Sequence, residues 1–261
     1  MRNISLLLVC CLLLASATFA QTKRYTRPVV QGAPTTCGAD PVLPSDGSDN
    51  PPWGDQVFAA TSAFYTLNVK AGHSYAVEVW DVLDQTAGVM PAINLYDAGC
   101  NPIGAPTDVT TYDPDLSGGF SRRVSWRQGA DQTIHIEVMN PDPNNPYIYE
   151  IRATDTTLFN PRWVTSGGYN TQWGMNNTTS ATIKGTLTVV DHTGVTVATR
   201  EVDLPPGLTT FVQASDIGVP ASYGNATYAY EGPPGAVQGD AYYLKTGITI
   251  PSLFAPKHAY H

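Results

Sequence analysis

The chain has 261 residues, of which 42% are hydrophobic and 14% charged, with 23 Gly and 21 Pro. A Gly or Pro at about one position in six excludes a helical bundle or coiled coil, and the apolar content excludes a disordered chain, leaving a turn-rich, β-dominated globular protein. Fourteen Lys and Arg against 22 Asp and Glu give a net charge of −8, and 16 of the acidic but only 5 of the basic residues fall between residues 39 and 155. An acidic surface of this kind excludes nucleic acid and anionic membranes as partners, since both require a basic footprint.

In chain order, Arg2 precedes an apolar run from Leu6 to Leu14 and the small-residue stretch Ala15–Ala20. That order predicts a signal peptide over residues 1–20, cut after Ala20. The run is shorter than the roughly 20 residues needed to cross a bilayer, so the expectation is a secreted chain, extracellular or periplasmic, with no membrane insertion. Residues 21–38 mix Lys23, Arg24 and Arg27 with Thr, Pro and Gly without a period, and read as a flexible leader. Cys37 and Cys100 remain after cleavage; a lone pair in an exported chain predicts one disulfide. Across 63 positions such a link is worth about 4 kcal/mol in the chain-entropy treatment.

From there the repeating unit is a short strand. Tyr65, Leu67 and Val69 alternate with Thr66 and Asn68, Tyr75, Val77 and Val79 with Ala76 and Glu78, and Ile134, Ile136 and Val138 with Thr133, His135 and Glu137. Each set places its apolar side chains on one face of a sheet. Turn signals at Lys70-Ala71-Gly72-His73, Asp97–Pro102, Gln128–Asp131 and Asn140–Pro146 separate them. This spacing, with no amphipathic helix between, predicts an antiparallel sandwich over residues 39–155.

The order Phe64–Val79 with its central Ala71-Gly72-His73-Ser74-Tyr75, then Ile93–Cys100, Gln132–Val138 and Tyr147–Ile151 resembles the bacterial pre-peptidase C-terminal domain over about Asp40 to Asp155. The resemblance implies a β-sandwich module of the kind appended to secreted enzymes and surface proteins, without an active site of its own. Some members bind Ca²⁺ and some bind substrate polymers; no peptidase domain accompanies the pattern in this sequence.

A boundary near Asp155-Thr156-Thr157 opens a second unit, residues 156–261. Strand signals resume around Ile183, Leu187 and Val189, and Asp191-His192-Thr193-Gly194 predicts a hairpin turn. The expected architecture is therefore all-β: two consecutive antiparallel β-sandwiches, jelly-roll or immunoglobulin-like, after a cleaved signal peptide. Asn160-Pro161-Arg162-Trp163 and Asn176-Asn177-Thr178-Thr179 are similar to domains of secreted bacterial surface proteins, a resemblance that implies no activity.

Candidate sites are sparse. His73 and His192 fall in turns. His135 and Glu137 share one side of a strand, but no neighbouring His, Cys or Asp in sequence completes a metal set. Loop carboxylates Asp46, Asp49, Asp81 and Asp84 suit either Ca²⁺ ligation or turn formation. Trp80 and Tyr243 alternate against apolar neighbours and are expected on outward faces, and Trp126 stands in the basic cluster with Arg122, Arg123 and Arg127. Outward aromatics suit a sugar ring, a protein partner or inter-domain packing. The reading is a secreted, non-catalytic binding or structural module of the cell envelope or extracellular space, with an extracellular protein or a polysaccharide as partner and Ca²⁺ as the one candidate cofactor. The alternatives are a carbohydrate-binding protein and a small secreted hydrolase.

Overall fold

The computed structural model describes residues 35–38, 40–46, 53–57, 61–81, 91–103, 107–112, 120–144 and 147–256. The expected signal peptide, most of the leader, Asp49 and Asp84 lie outside these residues.

The first unit contains β1 (Trp53–Val57), β2 (Ser62–Val69), β3 (Ser74–Asp81), β4 (Ala92–Tyr96), β5 (Thr107–Tyr112), β6 (Phe120–Arg127), β7 (Gln132–Met139) and β8 (Tyr147–Asp155). Its five-stranded sheet runs β1-β8-β3-β6-β5 and its three-stranded sheet β2-β7-β4, all antiparallel. Outer strands that pair across the whole length of the unit, 1 with 8 and 2 with 7, make this a jelly-roll arrangement. The alternation read from the sequence sets the core: Tyr65, Leu67, Ile134, Ile136 and Leu95 from one sheet meet Tyr75, Val77, Val79, Tyr149 and Ile151 from the other. The Tyr65 and Tyr149 hydroxyls, 2.7 Å apart, satisfy each other inside it.

Residues 40–46 form a strap across this sandwich. Leu43 N–H donates to the Thr66 carbonyl at 2.8 Å, Thr66 N–H donates to that of Pro41 at 2.9 Å, and Asp155 N–H donates to that of Ser45 at 2.7 Å. The strap thus bonds to β2 in one sheet and β8 in the other, and buries Leu43.

The second unit contains β9 (Leu158–Val164), β10 (Asn170–Asn177), β11 (Ile183–Asp191), β12 (Thr196–Leu204), β13 (Thr209–Gln213), a single 3₁₀ turn (Ala214–Ile217), β14 (Tyr223–Tyr230), β15 (Val237–Lys245), β16 (Ile248–Leu253) and β17 (Ala255–Pro256). A five-stranded sheet, β12-β11-β14-β9-β17, accompanies a four-stranded one, β13-β10-β15-β16. Trp163, Trp173, Tyr228 and Phe254 dominate its separate core. The indole of Trp173 donates to Asn160 Oδ1 at 3.2 Å, and Asn177, also buried, donates to the carbonyls of Ala181 and Leu204. The two asparagine-bearing segments singled out in the sequence are therefore polar struts within this sandwich.

Only Thr156 and Thr157 separate β8 from β9, and both are buried. Thr156 N–H donates to the Ser74 carbonyl at 2.9 Å, and Ser74 N–H donates to Thr157 Oγ1 at 2.8 Å. The connection is pinned to the start of β3 rather than left as a free linker.

Candidate functional site

The expected binding aromatics occupy different places. Trp80 is the penultimate residue of β3, and its side chain lies outside the described set. Trp126 is half-buried, packs against the first core with its ring 5.8 Å from that of Tyr75, and donates its indole N–H to Gln128 Oε1. Tyr243 departs from the expected outward placement. It pairs with Thr171, two residues from the buried pair Ala241 and Trp173, so it shares their inward face. Its hydroxyl donates to the Arg162 carbonyl on the opposite sheet at 2.8 Å and accepts from Ser252 Oγ at 2.9 Å. The reversal has a steric cause. The inward residues of β15 include Gly239, where a Cβ would lie 2.9 Å from Leu158 Cδ1, so small residues on the true core face masked the alternation.

Of the four loop carboxylates, only Asp46 and Asp81 fall within the described residues. Asp46 is exposed and bridges to Thr154, which pairs with Ala76 on β3, whereas Asp81 ends that strand five residues further on. At about 3.3 Å per residue their backbones stand roughly 16 Å apart along the sheet. The basic cluster is engaged in ion pairs. Arg123 and Arg152 clamp Glu78 at 2.6 and 2.8 Å, and Arg122 donates to the Pro91 carbonyl.

The densest polar group lies on the outer face of β2-β7-β4, where the sequence suggested only an incomplete pair. Thr66, His135 and Tyr96 align in one cross-strand row and Phe64, Glu137 and Asn94 in the next. Although this face points away from the core, His135 and Glu137 are buried. Glu137 accepts from Ser62 Oγ (2.6 Å), Tyr96 OH (2.7 Å) and Asn94 Nδ2 (2.8 Å). Burial pushes its carboxyl up, but these three donors outweigh it and hold the pKa below the ordinary carboxylate value. The same bond, with burial second, raises Tyr96 to about 12.

His135 completes its surroundings from residues distant in sequence. Its Nδ1 is 2.6 Å from Asp40 Oδ2, with the Asp40 side chain fully buried, and 3.3 Å from Thr66 Oγ1. The Cys37–Cys100 disulfide, with Cα atoms 6.1 Å apart, places both sulfurs within 4.8 Å of a His135 ring nitrogen. The expected bridge is present, and it brings to His135 the Cys and Asp neighbours that local spacing did not offer. No motif announces this cluster; the only sequence trace is Asp40 three positions after Cys37.

A second polar group lines the junction of the two sandwiches. His73, expected as an exposed turn residue, is half-buried and 2.7 Å from Asp155. Burial raises the Asp155 pKa, and its bonds with His73 and Thr157 more than reverse the shift. Arg127 reaches across to Glu201 (2.6 Å), Glu231 (3.0 Å) and Thr186 Oγ1 (2.5 Å) in the second unit. A cleft of about 390 Å³ opens beside His73, Arg127, Thr186 and Glu231, and one of about 230 Å³ beside His73, Asp155 and Phe159.

No family model matches the chain, and no curated protein matches it. Among solved structures it is similar to a glycosyl hydrolase family 2 member from Bacteroides cellulosilyticus, at 13% identity and TM-score 0.20 over 74% of this chain and 28% of that one. A beta-glucuronidase from glycoside hydrolase family 2 shows 13% identity and TM-score 0.18 over 81% of this chain and 24% of that one. The chain thus spans about a quarter of the length of these proteins, and a likeness of this size adds nothing to the fold described above.

Proposed function

We propose that the protein is a secreted, non-catalytic binding module, related to the pre-peptidase C-terminal domains in its first half, and that it engages an extracellular protein through the four-stranded sheet of its second half. The observation that carries this reading is the apolar exposure of that sheet. Phe211 on edge strand β13 is 57% exposed, and Leu253 on the opposite edge strand β16, on the same outer face, is exposed as well. Large apolar side chains left in water along a sheet mark an interaction surface. Pro251 gives β16 no N–H for a further strand at that position, so side-chain contact rather than strand addition fits this edge.

Polysaccharide is the second reading, and one feature favours it. The Phe211 ring lies over Gly174, where a Cβ would sit 2.9 Å from the ring, with Gln172 and Asn176 on the same face of β10. A ring laid along a sheet and flanked by amides suits a sugar face. The test immobilises the full chain and a Phe211→Ser, Leu253→Ser variant with unchanged circular dichroism, and passes envelope and medium extracts of the source cells over both. A stoichiometric protein held by the wild type and lost from the variant is expected. Retained glycan alone would move the assignment to polysaccharide, and equal retention by both proteins would overturn the surface assignment.

A further inference from the structure

We infer that Cys37, Cys100, His135 and Asp40 form a zinc-class metal site that opens when the disulfide is reduced. The two sulfurs and a His135 ring nitrogen lie within 4.8 Å of one another, and Asp40 Oδ2 is 2.6 Å from Nδ1 of the same ring. Two thiolates and an imidazole are the donors that bind Zn²⁺ or Co²⁺ tetrahedrally, and they disfavour Ca²⁺ and Mg²⁺. A buried carboxylate on the imidazole is the usual companion of a metal-binding histidine, orienting the ring or taking a coordination place itself.

What makes the cluster a site is that its framework does not depend on the S–S bond. Cys100 has φ 63°, the one non-glycine residue in the left-handed region among those described. It is held there by Asp97, whose carboxylate accepts from Gly99 N–H and Asn101 N–H and whose carbonyl accepts from Cys100 N–H. On the other side, Gly38 N–H donates to Asp40 Oδ1, and the strap is fixed to β2 through Leu43 and Thr66. His135 sits on the central strand of its sheet, between β2 and β4. After reduction both cysteines remain anchored over the same histidine, and side-chain rotation alone has to bring the sulfurs onto one ion.

The chemistry balances simply. A dithiol reductant transfers two electrons and two protons to the sulfurs, leaving two thiols here and a disulfide in the reductant. A divalent ion then displaces the two thiol protons. Re-oxidation by a disulfide re-forms the S–S bond and expels the ion. Both cysteines are half-buried, so reagents reach them while His135 and Asp40 stay shielded. The proposal is independent of the partner-binding reading above.

The test titrates Co²⁺ into the full chain before and after reduction with a phosphine and anaerobic removal of the reagent. Expected are no absorption change in the oxidised protein and, in the reduced protein, one equivalent of Co²⁺ with thiolate charge-transfer and tetrahedral d–d bands, displaced by Zn²⁺. His135→Ala should lose the tetrahedral spectrum. Asp40→Asn should keep the thiolate band and weaken binding about 10–100-fold. Zinc loading should slow modification of both thiols by a disulfide reagent. A reduced wild type that gives no bands, or bands unchanged by His135→Ala, would overturn the assignment. So would loss of the fold on reduction, because the anchoring hydrogen bonds are argued to stand without the bridge.

Discussion

Glu137 shows how a side chain on the outward face of a strand becomes interior. Three donors from β4 and the start of β2 surround it, and its depressed pKa means that the native state holds the charged form more firmly than the unfolded chain does. Stability from this group is therefore present above its unfolded pKa of about 4.3 and is lost as pH falls through the lower folded value. Asp155, depressed by His73 and Thr157, acts in the same window. Glu137→Gln is expected to cost about 1–3 kcal/mol at pH 7 by urea unfolding and to flatten the acid limb below pH about 4, because one ionised acceptor is replaced by an amide that suits only some of the donors. An acid limb as steep as the wild type's would show that other carboxylates govern it. That His135 and Glu137 share a side was legible from their spacing; that the strap and β4 bury both was not, because the covering residues lie 41 to 95 positions away.

At the scale of the element, the strands with large residues on one face were readable and those with small ones were not. β2, β3 and β7 carry Tyr, Leu, Val or Ile at every second position, and the structure buries those sets. On β15 the inward set is Val237, Gly239, Ala241 and Tyr243, whereas Tyr242 and Leu244 face out, so counting apolar bulk selects the wrong face. The core at that place is filled from elsewhere, by Phe254 and Leu158. Gly239→Ala is accordingly expected to destabilise by about 1–3 kcal/mol through overpacking against the Phe254 backbone. Gly207→Ala is the comparison: its Cβ meets nothing within 4 Å and any loss there comes from its φ of 64° alone. Urea midpoints of the two variants separate packing from backbone strain. Equal losses would remove the packing explanation.

Across the whole molecule, turn spacing gives the expectation of consecutive β-sandwiches, but not the contacts between them, because these join residues 59 to 104 positions apart. Arg127 at the end of β6 carries most of the polar reach into the second unit, bonded to Glu201, Glu231 and Thr186. Glu201 is largely exposed, so salt screens that pair, while Glu231 is more sheltered. Arg127→Ala should leave each core intact yet uncouple them. Calorimetry is expected to resolve two transitions where the wild type gives one, and small-angle scattering to report a larger radius of gyration. A single transition at an unchanged temperature would mean that the pinned Thr156-Thr157 connection suffices to couple the units.

The strap has a consequence in time. It is among the first parts of the folded unit to be synthesised, yet it bonds to Thr66 and to β8, the last strand of the same sandwich. At synthesis rates of about 5–20 residues per second, the strap waits on the order of ten seconds for residue 155 to appear. Cys100, the partner of Cys37, emerges 63 positions after it and well before residue 155, so the bridge can close before the strap has β8 to bond to. A bridge closed at that stage holds the N-terminal end of the strap in place until β8 arrives to complete its bonding.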